Sequence, residues 1–208
     1  MKFSRVHSLS HVVDTVINGG VTILPTETVY GLAARADDKN AIDRIYQIKG
    51  RDFDKPLALC VDNLDVANSF GVMTGLAADL AEHFWPGPLS LVVKARRKEL
   101  DSRLYGRNPQ GRKTISMRCP QSDWRKPLKD IPLALTSANP SGQPAPLNVN
   151  EATDYIGESV DTIYGGPPCQ LGISSTILAI EGRKAMILRQ GTLQAEDFVA
   201  FNIEGDDW

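Results

Sequence analysis

The chain has 208 residues, 42% hydrophobic and 23% charged, with 23 Lys and Arg against 25 Asp and Glu for a formal net charge of −2. That length suits one large domain, 1–208 with a core over about 10–200, and the near-neutral balance excludes a wholesale nucleic-acid coat while leaving room for a local basic patch. Three scattered cysteines, Cys60, Cys119 and Cys169, argue for reduced thiols in a cytoplasmic protein and against a zinc site, and neither a signal peptide nor a run of ~18 apolar residues is visible.

Leu9, Val12, Val13, Val16 and Ile17 form the stripe of an amphipathic helix, with Ser8 placed to cap it and Gly19-Gly20 to stop it. A short strand follows at 21–25. A second helix is expected near 39–49, with Ile42, Ile45, Tyr46 and Lys49 on one side and Gly50 as its stop. "LALCV" (57–61) reads as a buried strand, and 75–85 as a helix broken by "WPGP". Further strands are expected at 89–95, 114–119, 133–138, 161–165, 175–180 and 185–189, and helices around 150–156 and 194–201. "EGRK" between the last two strands is a hairpin signal, so the sheet should be mixed. The charged stretch 96–113 exceeds the usual connection length, which makes it mobile or functional.

Several motifs fail. "GRNPQGRKT" (106–114) approaches a phosphate-binding loop but precedes a strand instead of opening a helix. "GISST" lacks the final glycine of a nucleophile elbow. His7, His11 and His83 have no triad or metal-ligand setting.

Six polar clusters remain, each beside a predicted strand end: 25–31, 49–56, 117–120, 136–146, 172–176 and 188–191. Loops at strand ends gather into the ligand crevice of α/β folds. The clusters supply Lys49, Arg51, Lys55, Arg118 and Arg189, with hydroxyl and amide donors such as Thr28, Ser137, Asn139 and Ser175. Guanidinium forks and hydroxyls suit phosphates and carboxylates. The inventory describes a polyanion site without an obvious nucleophile, and phosphoryl or nucleotidyl transfer runs on positioning and electrostatics. Arg118 lies inside an apolar strand and needs a partner if buried.

Together these blocks resemble the YrdC-like family, the threonylcarbamoyl-AMP synthases. The resemblance runs from about residue 10 to 200 through "PTETVYGL", "KGR…KPL", "WPGPLS", "TISMRCP", "TSANPSG", "GGPPCQLGISSTIL" and "LRQG". The family's Lys-x-Arg and Ser-x-Asn signature is present as Lys49, Arg51, Ser137 and Asn139. The resemblance implies an α/β fold: an open, twisted mixed sheet with flanking helices around a large concave basic cavity. It implies that L-threonine, bicarbonate and ATP, with Mg²⁺ on the phosphates, give threonylcarbamoyl-AMP and pyrophosphate for tRNA modification. Arg51, Lys55, Thr114, Ser137, Asn139 and Arg189 match ATP-side positions. Thr28, Arg118 and Ser175 match threonine-side positions, and Lys49 is expected among the phosphates. No metal-ligating side chain is assigned. Contacts with tRNA or other RNA and with downstream tRNA-modification proteins are further expectations.

The chain departs from many relatives at Cys60, Lys55 and Ala145-Pro146-Leu147, where they carry His, Asn and Ser-Pro-Thr. It resembles the short, single-domain form. The competing class is a non-catalytic RNA-binding module built on the basic stretch 94–113, which holds eight Lys or Arg against Glu99 and Asp101.

Overall fold

The computed structural model of the chain describes residues 5–6, 8–96 and 100–201. Its strands are β1 (Arg5–Val6), β2 (Thr22–Leu24), β3 (Gly31–Arg35), β4 (Ala58–Cys60), β5 (Leu89–Lys94), β6 (Tyr105–Arg107), β7 (Lys113–Arg118), β8 (Leu133–Ser137), β9 (Thr162–Tyr164), β10 (Thr176–Glu181) and β11 (Lys184–Arg189). The α-helices are α1 (Leu9–Ile17), α2 (Lys39–Lys49), α3 (Leu64–Phe70), α4 (Leu76–Phe84) and α5 (Val149–Ile156). All the strands join one sheet in the order β1-β9-β2-β3-β8-β4-β7-β5-β10-β11, with β6 also paired to β7. Pairings β4–β7, β5–β10 and β2–β9 are parallel, while β5–β7, β3–β8 and β10–β11 are antiparallel, so the sheet is mixed as expected.

Period-two alternation sorts the side chains onto two faces. Ile23, Leu32, Ala34, Leu59, Leu91, Val93, Ile115 and Met117 enter the larger core with Ile42, Ile45 and Tyr46 of α2 and Leu76 and Leu80 of α4. The other face is covered only in part. Over β2, β3 and β8, Leu24, Ala33, Leu133 and Leu135 pack with Val12 and Val16 of α1 and with Trp124 and Leu128. Further along that face, beside β5, β7 and β10, the alternate residues are Ser90, Ser116, Arg118 and Ile177, and they line an open hollow.

Two helix ends place functional side chains. Asp38 caps α2 by accepting from the Asn40 and Ala41 amides at 2.9 and 3.1 Å. Gly50 ends it at φ 56°, a left-handed conformation that glycine adopts without a Cβ clash. The chain therefore turns sharply between Lys49 and Arg51. Ser8 holds the cap position of α1, but its side chain makes no capping bond to the helix.

Four differences from the sequence reading have physical reasons. Gly31–Arg35 is a fully engaged strand, paired with β2 on one side and β8 on the other. Its "GLAAR" lacks the β-branched residues that mark strands, and tertiary pairing overrides propensity. Leu64–Phe70 forms a short helix capped by Asn63, which accepts from the Val66 amide at 2.9 Å. Residues Ala195–Phe201 form 3-10 turns instead of an α-helix. The stretch 96–113 contains β6 and is tied down among its described residues. Arg103 pairs with Asp101 at 2.7 Å and with Asp43 of α2, Arg112 pairs with Glu181, and Lys113 lies 3.8 Å over the Tyr105 ring. His7 and Glu99 lie outside the described residues. No helix among the described residues is long and apolar enough to cross a membrane.

Candidate functional site

The hollow takes its walls from separate parts of the chain: Thr26, Val29 and Gly31, Arg51, Pro56 to Cys60, Ser90, Ser116 and Arg118, Leu135 to Ser137, Ser174, Ser175 and Ile177, and Arg189. Its volume is about 160 Å³. That is close to the ~150 Å³ of a cavity that takes up benzene, so it holds a ligand of amino-acid size and leaves anything larger in the mouth. Sheet register explains the convergence. Cys60 pairs with Arg118, Arg118 with Ser90, Ser90 with Ile177 and Ile177 with Arg189, forming one row across four strand pairings.

Arg118 is the buried strand arginine anticipated from the sequence, and its partner is Glu27. Nη2 donates to Glu27 Oε1 at 2.6 Å and Nε donates to the Gly87 carbonyl at 3.2 Å. Glu27 Oε2 also accepts from the Gln121 amide at 3.2 Å. Both side chains are under 10% exposed, so the pair is withheld from water. Glu27 is a site residue that sequence reasoning missed. The buried arginine signalled a carboxylate, but not one that lies 91 positions away.

Arg51 and Arg189 are held differently. Arg51 donates from Nε and Nη2 to the Lys55 and Pro56 carbonyls, each at 3.0 Å. Arg189 donates to the Ser175 carbonyl from Nε at 3.1 Å and Nη2 at 2.7 Å, and from Nη2 to Ser175 Oγ at 3.0 Å. Among the described residues neither has a carboxylate within ion-pairing distance. Burial, then the charges of Arg118 and Arg51, hold the Arg189 guanidinium below its usual range. That mutual repulsion is the signature of one shared electropositive hollow. A close backbone approach supports it. A Cβ on Gly191 would stand 2.3 Å from the Ser174 carbonyl oxygen, so glycine lets the 189–191 segment press against 174–176.

The other predicted residues take different places. Ser137 and Ser175 line the hollow with Arg51, Arg118 and Arg189. Lys49 and Asn139 are buried beside it. The Lys49 ammonium donates to the Ser137 and Asn139 carbonyls at 2.5 and 2.6 Å and lies 3.4 Å from Asn139 Oδ1. The Lys49 carbonyl accepts from the Ser141 amide at 2.7 Å. Three of the four signature residues, Lys49, Ser137 and Asn139, are thus wired into one unit, in which Lys49 fastens the end of α2 to the turn after β8, while Arg51 bonds within its own loop. Thr28 is fully buried and its hydroxyl lies 2.9 Å from that of Thr26, which itself reaches the hollow. Lys55 is exposed and pairs with Asp52 at 2.7 Å. Thr114 lines a second groove of about 650 Å³ on the same face, with Lys94, Arg107 and Arg112 on its walls. Cys60 faces the hollow as a neutral thiol, because burial pushes it up to about 12. Ser90 and Ser116 also line the hollow and went unread, since "LSLVV" and "TISMR" look like buried strands.

Lys49 yields a pH prediction. Burial and, after it, the charge of Arg51 push its ammonium down to about 8 from an ordinary 10.5. Between those values the unfolded chain binds the proton and the folded chain does not, so folding stability rises with pH across that window. The stability of the natural chain minus that of Lys49→Met is therefore expected to grow from pH 8 to 10.5 in urea unfolding. A difference that stays flat or shrinks contradicts this placement of the ammonium.

Known proteins are similar to this chain in sequence and fold. A Methanocaldococcus jannaschii protein, provisionally named a threonylcarbamoyl-AMP synthase, is 31% identical over 86% of this chain and 83% of its own length. The threonylcarbamoyl-AMP synthase of Pyrococcus abyssi is 34% identical over 86% of this chain, which spans 52% of that relative. The crystal structure of P. abyssi Sua5 complexed with L-threonine superposes with a TM-score of 0.84 at 29% identity, over 93% of this chain and 57% of the other. Escherichia coli YciO matches with a TM-score of 0.80 at 25% identity over 92% of both chains. The family model described as "Telomere recombination" matches residues 14–191, nearly the whole sheet and every wall of the hollow, and the chain belongs to that Sua5/YciO/YrdC family.

Proposed function

We propose that this chain is a threonylcarbamoyl-AMP synthase, a nucleotidyltransferase that converts L-threonine, bicarbonate and ATP into threonylcarbamoyl-AMP, pyrophosphate and water. The observation that carries the reading is the meeting of Arg51, Arg118 and Arg189 in one amino-acid-sized hollow, with only Glu27 in ionic contact with any of them among the described residues. The relatives named for this activity, and the one whose structure holds L-threonine, support it.

In this reading Arg118 clamps the threonine carboxylate at the floor, with Ser175 on the substrate's polar groups. The triphosphate lies in the mouth across Arg51, Arg189 and Ser137, with Lys55 at the rim and the nucleoside end extending over Thr114. Asn139 and Lys49 act by holding the Ser137 turn in place. Threonine and bicarbonate first combine as N-carboxy-threonine, releasing water. Its carboxylate oxygen attacks the α-phosphorus, the new O–P bond forms, and the bond to pyrophosphate breaks. Negative charge grows on the phosphoryl oxygens and the leaving group, where fixed guanidinium donors stabilise it most. Threonine's amine must lose a proton, and no side chain at the hollow is placed as a dedicated base. A phosphate oxygen or bicarbonate takes it.

Mg²⁺ suits this site only as a passenger. Among the described residues no group of three or more His, Cys, Asp or Glu gathers to hold a metal, and Glu27 is spent on Arg118 and Gln121. Mg²⁺ is usually held by substrate phosphates and water with few protein ligands, so a triphosphate would bring it and the ion would add charge neutralisation there. Transfer of the product toward tRNA through downstream proteins, in the cytoplasm, completes the proposal. The test is pyrophosphate release assayed with each substrate omitted in turn. Release that needs both threonine and bicarbonate supports the reading, and release indifferent to threonine rejects it.

A further inference from the structure

Ser90 stands in the middle of β5, where Leu89 and Leu91 point into the core and Ser90 points the other way, 4% exposed, into the hollow. It lies directly opposite Arg118 in the antiparallel β5–β7 ladder. Opposed residues of such a ladder have Cα atoms ~4.5–5.5 Å apart. Its Oγ is 2.9 Å from Ser175 Oγ, which in turn accepts from Arg189 Nη2.

Two hydroxyls carry two hydrogens and four lone pairs. Their mutual bond uses one hydrogen and one lone pair, and Arg189 occupies a second lone pair. No other bond to either hydroxyl is present among the described residues. Whichever serine donates to the other, one O–H and spare lone pairs remain, buried and facing the hollow. A buried donor left unmatched costs ~1–3 kcal/mol, so the contents of the hollow must supply its acceptor. An alcohol is one group that can accept that hydrogen bond and return one.

We propose that the Ser90–Ser175 pair reads the side-chain hydroxyl of the amino-acid substrate, which makes Ser90 a specificity-determining residue. The inference rests on the reading of the hollow as an amino-acid site. Arg118, one cross-strand step away, takes the carboxylate. Val29, Leu135 and Ile177 offer an apolar wall to the substrate's methyl group. The hollow is thereby built for a β-hydroxy amino acid rather than for any small amino acid.

The test titrates L-threonine and L-2-aminobutyrate, the same carbon skeleton without the hydroxyl, into the natural chain, Ser90→Ala and Ser90→Thr by calorimetry. The natural chain is expected to prefer threonine by roughly tenfold or more, since an unmatched buried donor meets the analogue. Ser90→Ala is expected to narrow that preference by about three- to tenfold with ATP affinity unchanged, and Ser90→Thr, which keeps a hydroxyl, to restore it. The inference is overturned if the natural chain does not discriminate, if Ser90→Ala keeps the full preference, or if it weakens both ligands equally. Pyrophosphate release is followed in parallel. Discriminating binding without turnover defeats the synthase reading and leaves the role of Ser90 standing; turnover with undiminished discrimination in Ser90→Ala does the reverse.

Discussion

Arg51→Ala is expected to slow threonine-dependent pyrophosphate release by roughly 10²–10³-fold, the loss seen when one pre-positioned donor to a developing oxyanion is removed. Stability should hardly change. The Arg51 guanidinium bonds to two carbonyls of its own loop, at Lys55 and Pro56, and that loop is largely exposed. Water can take over both acceptors. Initial rates and a thermal scan on the same preparation separate the two effects. Turnover at the natural rate would show that the mouth of the hollow does not hold the reacting phosphate.

Arg118→Ala should behave in the opposite way, with a large loss of stability beside the loss of threonine binding. It removes one partner of a buried ion pair and leaves the Glu27 carboxylate without its cation. Breaking such a pair from one side costs ~3–5 kcal/mol. For a chain of this size that corresponds to a fall in melting temperature of roughly 6–20 °C. The double variant Glu27→Gln with Arg118→Gln leaves no orphan charge and should be more stable than Arg118→Ala alone. If the double variant is instead less stable by the sum of the two single losses, the pair is not coupled as described.

These expectations show which parts of the molecule are readable from residue types. The long periodic helices α1, α2 and α4 and the hairpin β10–β11 lie where hydrophobic spacing and the glycines at 50 and 182 place them. β3 was not readable, because alanine and glycine carry no strand signal and one of its two partners, β8, is distant in sequence. In the site, the cations were legible as residue types but their partners were not. Sequence marks Lys49 as a cation at a helix end; it cannot show that the ammonium reaches the carbonyls of Ser137 and Asn139, about ninety positions on. Arg118 announced a missing carboxylate without naming Glu27. Ser90 was hidden by its neighbours, since a single serine between leucines looks like a packed strand until the register sets it opposite Arg118.

The same register bears on the alternative of an RNA-binding module. Among the described residues of 94–113, Arg103 and Arg112 are committed to carboxylates and Lys113 to the Tyr105 ring. The guanidiniums without a carboxylate in the hollow are Arg51 and Arg189, which face a concavity of small-molecule size.

Isotope tracing shows whether the hollow joins threonine, bicarbonate and ATP in one product. The chain is incubated with ATP, L-threonine and ¹³C-bicarbonate, and the nucleotide products are identified by mass spectrometry. The expected product is an adenylate that contains threonine and the labelled carbon, formed in step with pyrophosphate. Unlabelled nucleotide products alone, or a threonine adenylate without the label, would mean that the basic hollow joins a different pair of substrates or none.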